Sequence, residues 1–251
     1  MQRDTLTEYL DQLLSPNDFA DYCPNGLQVA GKREIKKIIT GVTACQALLE
    51  AALESEADAI LVHHGYFWKH EDPCVTGLKR DRLATLLKHE LNLYAYHLPL
   101  DAHPSYGNNV QLARVIGLEV TDIRCAQNTP GLFYIGQLPQ ALSGQIFAQQ
   151  IEKNLQRKPF HIAGGDEEIH KVAWCTGAAQ NFIHQAVEAK VDAYLTGEVS
   201  EQTVHIAREA GLHFYAAGHH ATERYGVQAL GAHLVEQFNI EHLFIDIDNP
   251  V

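Results

Sequence analysis

The chain of 251 residues has no Cys-x-x-Cys pair, no dense block of Lys and Arg, and no apolar run near the length of a membrane span. Each absence removes a class of protein. The five cysteines (Cys23, Cys45, Cys74, Cys125, Cys175) sit at unrelated spacings. Neither a disulfide framework nor a thiolate zinc site is expected, and the odd count fits reduced thiols in a reducing compartment. The roughly 20 consecutive apolar residues that cross a bilayer are missing. The opening "MQRDTLTEYLDQLL" is charged and reads as an amphipathic helix, not a signal peptide, so the expected compartment is the cytoplasm. Cations are scarce, with 19 Lys and Arg against 31 Asp and Glu and a net charge of −12. The run "KREIKK" from Lys32 reads as solvated surface. A nucleic-acid backbone needs a positive footprint, so nucleic acid is not an expected partner. No P-loop exists either: "GGDEE" at Gly164 lacks a following Gly-Lys-Ser/Thr and reads as a turn.

What is abundant is histidine, at 15 residues. Metal ligation is the leading reason for such an excess. The chain is also internally repeated. The segment "KIITGVTACQALLEAALESEADAILVHHG" from Lys37 lies without gaps over "KVAWCTGAAQNFIHQAVEAKVDAYLTGEV" from Lys171. Lys37, Ala44, Gln46, Ala52, Glu54, Asp58, Ala59 and Leu61 meet identical residues. A second block, "LNLYAYH" from Leu91, lies over "LHFYAAG" from Leu212. Each copy reads as strand, turn, helix, strand, helix, strand. The short apolar runs "DAILV" and "DAYLT" are of the kind buried in parallel sheets. The reading is an α/β fold of two similar domains, 1–125 and 126–251, with mostly parallel sheets flanked by helices. "RCAQNTPG", around residues 122–130, reads as the dividing loop. "EHLFIDIDNPV" reads as a last strand that joins either sheet.

Open α/β sheets bind ligands at the carboxyl ends of their strands. In the first copy those ends carry His63 and His64, then His97 with Asp101 four residues later. In the second they carry Glu198, then His219, His220 and Glu223. Two sheets facing each other would bring these groups together. Imidazole with carboxylate and no sulfur suits Zn, Fe, Mn, Ni or Co. His219 and Glu223, at i and i+4, form a chelate if helix begins there. Five or six donors exceed the need of one open tetrahedral ion. Two ions about 3.5 Å apart, sharing a carboxylate such as Asp101, would use them. His97 and His220 either touch the ions or orient a ligand or water. The remaining histidines are read as core or surface residues.

Together "GVTACQ", "VHHGYFWK", "HLPLDAH", "TGEVSEQ", "YAAGHHATER", "FIDIDNP" and "DYCPNGLQV" resemble the GTP cyclohydrolase type 2-like family, also called the NGG-interacting factor three-like family. The likeness covers almost the whole chain and is nearest to short bacterial members without a central insertion. It implies two similar, intertwined α/β domains and a dinuclear site on His63, His64, Asp101, His219 and Glu223. It also implies a toroidal homohexamer, built as a trimer of dimers. The expected function is metal-dependent hydrolysis of a nucleotide-like or cyclic amide substrate, with His97 or Glu198 carrying protons. On a purine nucleotide, attack at C8 would open the imidazole ring. Tyr66, Phe67 and Trp68 either stack a base or pack internally. Lys69, Lys79, Arg80, Arg82 and Arg224 are the candidate phosphate cations. The alternative is a non-catalytic metal-binding, metal-delivery or regulatory protein, in which the same donors form a closed ligand set.

Overall fold

The computed structural model describes residues 1–126, 128–165 and 168–251. Its strands are β1 (Gly26–Val29), β2 (Lys37–Thr43), β3 (Ala59–His64), β4 (Asn92–Ala95), β5 (Glu119–Ala126), β6 (Thr129–Leu142), β7 (Phe160–Ile162), β8 (Ile169–Trp174), β9 (Ala193–Thr196), β10 (His213–Ala216) and β11 (Glu241–Phe244). Its helices are α1 (Arg3–Leu14), α2 (Gln46–Glu54), α3 (Gly77–Lys88), α4 (Leu98–Ala102), α5 (Asn108–Ile116), α6 (Gly144–Leu155), α7 (Ile183–Glu188), α8 (Glu201–Ala210), α9 (His219–Thr222) and α10 (Arg224–Gln237). The described chain forms two compact units, each made of two stretches. One holds residues 1–106 and 226–248, the other 107–225 and 249–251.

Both units are built around the repeated element. In the first, β4, β3 and β2 run parallel, with β1 antiparallel beside β4. In the second, β10, β9 and β8 run parallel, with β7 antiparallel beside β10. The copies differ past the third parallel strand. β11 joins β2 in parallel, which settles the sheet of the C-terminal strand, whereas the β5–β6 hairpin joins β8 antiparallel. Both sheets are therefore mixed and carry helices, as the α/β reading requires.

The repeat also carries a local device in both copies. The Asp58 carboxylate accepts from the backbone N–H groups of Lys36 and Lys37 (2.9 and 3.2 Å). Asp192 accepts in the same way from His170 and Lys171 (2.9 and 2.7 Å). Each aspartate precedes the middle parallel strand and fastens it to the start of its neighbour. The central strands are buried almost throughout, which is why their sequences are continuous apolar runs rather than alternating ones.

The expected loop over residues 122–130 is corrected. Arg124, Cys125 and Ala126 belong to β5, and Thr129 opens β6; Gln127 lies outside the described residues. β5 is an edge strand with seven of its eight residues exposed. It buries no face, so no apolar alternation marks it in the sequence. The turn read at "GGDEE" lies partly outside the described residues, at Asp166 and Glu167. Among the described residues, apolar clusters form the cores of both units. Trp174, Tyr134, Phe147 and Tyr215 anchor that of the second unit. In the first unit one cluster surrounds Ile60, Val62 and Leu93. Another joins Leu6, Leu10 and Leu14 of α1 to Val227, Leu230 and Leu234 of α10.

Candidate metal centre

In the first unit the predicted residues meet at the carboxyl ends of β3 and β4. His63 is fully buried. Its Nδ1–H donates to the Tyr96 carbonyl at 3.0 Å. A carbonyl only accepts, so in the neutral ring Nε2 carries the lone pair. That Nε2 lies 3.4 Å from Oδ1 of Asp101, itself buried in α4. His64 is the last residue of β3, and its Nδ1 hydrogen-bonds the Thr43 hydroxyl at 3.1 Å. Neighbours on a strand normally diverge, yet these two rings sit 4.5 Å apart at the strand tip. The His97 ring is 5.0 Å from His63 and 5.7 Å from His64. One nitrogen from each of the three imidazoles lies within 4.8 Å of the others.

His97 is held from an unexpected direction. Its Nδ1–H donates to Asp21 at 2.9 Å, and the Leu98 N–H donates to the other Asp21 oxygen at 3.0 Å. The His97 N–H donates to Asn25, which in turn donates to Asp21. Burial alone would raise the Asp21 pKa. The His97 hydrogen bond and charge, with Asn25 and the Leu98 N–H, outweigh it and pull the carboxyl down to about 2. Asp21 and His97 are 76 residues apart, and no periodicity announces such a pair.

In the second unit β9 leads to Glu198 and β10 to α9. The His219 Nδ1–H donates to Glu198 at 2.7 Å, and its Nε2 lies 3.1 Å from Glu223. Burial favours the neutral imidazole, but the two carboxylates prevail and raise its pKa to about 9. Gly177 makes room for this set. It has φ +68, and a Cβ there would stand 2.1 Å from Oε1 of Glu223. The backbone N–H of His220 donates to the Val251 carbonyl.

Each of the four imidazoles is thus gripped at Nδ1 by an oxygen. At His63, His97 and His219 the partner is a carbonyl or carboxylate, which only accepts, the arrangement that leaves Nε2 to a metal, whereas the Thr43 hydroxyl beside His64 can donate or accept. Nitrogen and carboxylate oxygen without sulfur fit a divalent ion of the zinc–iron–manganese range. Buried Cys23 places its sulfur 3.8 Å from Asp21, and burial together with Asp21 raises its pKa and keeps it a thiol. Of the aromatic run, Tyr66 is a core residue whose hydroxyl donates to the Ala44 carbonyl. Trp68 lies against the imidazoles, 5.3 Å from His97. Among the candidate phosphate cations, Lys79 is engaged by Glu71 and the Asp72 carbonyl, Arg80 by Asp81, and Arg224 by the Leu155 carbonyl.

A family profile described as Duf34/NIF3 (NGG1p interacting factor 3) matches residues 1–250. A relative from Pseudomonas aeruginosa, named "GTP cyclohydrolase 1 type 2 homolog", is 56% identical over 246 residues, which are 98% of this chain and 97% of that protein. A relative of the same name from Escherichia coli K12 is 51% identical over 251 residues, 100% of both. The solved structure described as "protein ybgI, unknown function" has a TM-score of 0.96 at 51% identity over 100% of both chains. A Thermus thermophilus structure has a TM-score of 0.88 at 36% identity, again over 100% of both. Reduced HcgD from Methanocaldococcus jannaschii, at 24% identity and a TM-score of 0.85, covers 98% of both chains and shares the fold. Matched end to end by its bacterial relatives, the chain belongs to the Duf34/NIF3 (NGG1p interacting factor 3) family, in its short bacterial form.

Proposed function

We propose that the chain is a metal-dependent hydrolase that holds two divalent ions on His63, His64, Asp101, His219 and Glu223 and acts on a nucleotide-like or cyclic amide substrate. The observation that carries this reading is the uniform anchoring of the imidazoles at Nδ1. A structural histidine needs one hydrogen bond, and nothing requires four of them to choose the same nitrogen. The names of the relatives support the cyclic substrate class.

Divalent ions bound there supply Lewis acidity and lower the pKa of a coordinated water. The protein's own groups do the rest. Asp101 would offer its buried carboxylate to the bound ions. His97, kept by Asp21 in the Nδ1–H form, takes and returns a proton at Nε2. Glu198 is committed to His219 and orients that ligand instead of carrying protons. By the same family resemblance the chain assembles as a hexamer, which light scattering reads as six times 28.0 kDa.

Two measurements test the reading. His63→Ala and Glu223→Ala should each lose bound metal, by elemental analysis of purified protein. Wild-type content in both variants refutes the site. A mass-spectrometric screen of the metal-replete protein against nucleotides, phosphoesters and cyclic amides should find turnover. Metal without turnover in any class leaves a metal-binding protein and ends the hydrolase assignment.

A further inference from the structure

Two aromatic rings beside the first-unit imidazoles do no core work. Tyr22 is 52% exposed, although it lies in the segment that carries Asp21. Its ring is 5.0 Å from His97 at 70° and 5.9 Å from Trp68 at 34°. Trp68 is half-buried, stands 84° to His97 at 5.3 Å, and is 6.0 Å from His64. Leaving the Tyr22 ring in water beside a polar cluster forgoes burial energy.

The two loops are also fixed to each other. The Lys69 N–H donates to the Tyr22 carbonyl at 2.8 Å. Gln28 accepts from the Tyr66 N–H and donates to the carbonyls of Pro24 and Tyr66. This bridge needs Gly65, where a Cβ would lie 2.2 Å from the Gln28 oxygen. Phe67 has positive φ and carries Lys79 over its ring. The backbone bonds between the two loops hold the Tyr22 and Trp68 rings side by side, 5.9 Å apart.

The geometry points to Tyr22 and Trp68 as a stacking platform for a planar heteroaromatic ring, which sets the substrate class of the neighbouring imidazole site. This inference rests on the metal-site reading above, because that site supplies the chemistry next to the platform. A π-face accepts any flat base and rejects a puckered ring of similar polarity. Of the two classes left open above, it selects the flat heterocycle over the saturated cyclic amide.

Trp174 is fully buried, so of the two tryptophans Trp68 is the accessible reporter. Guanosine titrated into the full-length metal-loaded protein should quench its emission saturably. Dihydrouracil and ribose 5-phosphate should not. The quench should vanish in Trp68→Leu. Calorimetry should show about tenfold weaker guanosine binding in Tyr22→Leu, the scale of one lost stacking partner, and wild-type binding in Tyr22→Phe. Absent saturable quenching, equal response to dihydrouracil, or wild-type affinity in Tyr22→Leu overturns the platform. A Tyr22→Phe as weak as Tyr22→Leu overturns it too, since the hydroxyl would then be the active part. Metal content measured on the same samples separates the two claims. Intact metal with no ring binding sinks the platform alone, whereas metal insensitive to His63→Ala and Glu223→Ala sinks the site.

Discussion

Glu198 and Gly177 each act on a proposed ligand from one step away. Glu198 grips His219 at Nδ1, and together with Glu223 it raises the imidazole pKa to about 9 against the pull of burial. The sign follows. The protonated ring stabilises the metal-free fold at neutral pH, and that contribution fades as pH rises through about 9. A divalent ion must displace the proton. Adding zinc to stripped protein in weak buffer at neutral pH should therefore release acid. Glu198→Gln should release less and bind metal roughly 10–100-fold more weakly. Metal titration with a pH indicator checks both, and unchanged affinity would remove Glu198 from the site. Gly177 contributes by what it lacks. Gly177→Ala forces a side chain into a left-handed backbone, at a cost of about 1–2 kcal/mol, and pushes it against Glu223. Metal content should fall together with melting temperature, and a variant that loses stability alone would contradict the steric account. The donors were legible as histidines and acids at strand tips. Asp21 was not, because its role exists only once residue 97 folds back onto it.

At the scale of elements, the aspartates before β3 and β9 were visible as aligned identities, but their work was not. Burial alone would raise the Asp58 pKa, and the Lys32 hydrogen bond with the N–H groups of Lys36 and Lys37 lowers it instead. A depressed carboxyl stabilises the fold above its unfolded pKa and ceases to do so as pH falls through the folded value. Asp58→Asn should cost about 1 kcal/mol at neutral pH, the worth of one ordinary net hydrogen bond, since solvent screens this partly exposed carboxylate. Urea unfolding at a series of pH values should show the gap to wild type closing on acidification. A gap independent of pH would mean that packing, not charge, holds the staple. The parallel strands were readable because burial on both faces writes a continuous apolar run. β1, β7 and β5 were not, since short or exposed antiparallel edges leave no periodic mark. The chemistry of "RCAQNTPG" resembles a loop because an edge strand tolerates polar residues on both sides.

For the whole molecule, the duplication suggests two domains that could be cut apart near residue 125, and the contacts argue otherwise. The core that buries Leu6, Leu10, Ile38 and Leu61 is completed by Val227, Leu230, Leu234 and Ile240. β11 supplies the outer partner of β2. A four-residue strand with alternating partial exposure cannot announce which sheet it joins, so this return of the chain was invisible in the pattern. Its consequence is strong. A fragment of residues 1–125 lacks about four large apolar side chains of its own core, each worth ~1.5–3 kcal/mol when buried. That sum is comparable to the whole stability of a typical domain, ~5–15 kcal/mol. The fragment should therefore show no cooperative unfolding and little near-ultraviolet circular dichroism, and adding a synthetic peptide of residues 224–248 should restore both. During synthesis the first unit would wait for the last helix before its core could close. If fragment 1–125 melts cooperatively by itself, β2 and α1 do not depend on the returning segment, and the exchange of chain between the units is a matter of connectivity without energetic weight.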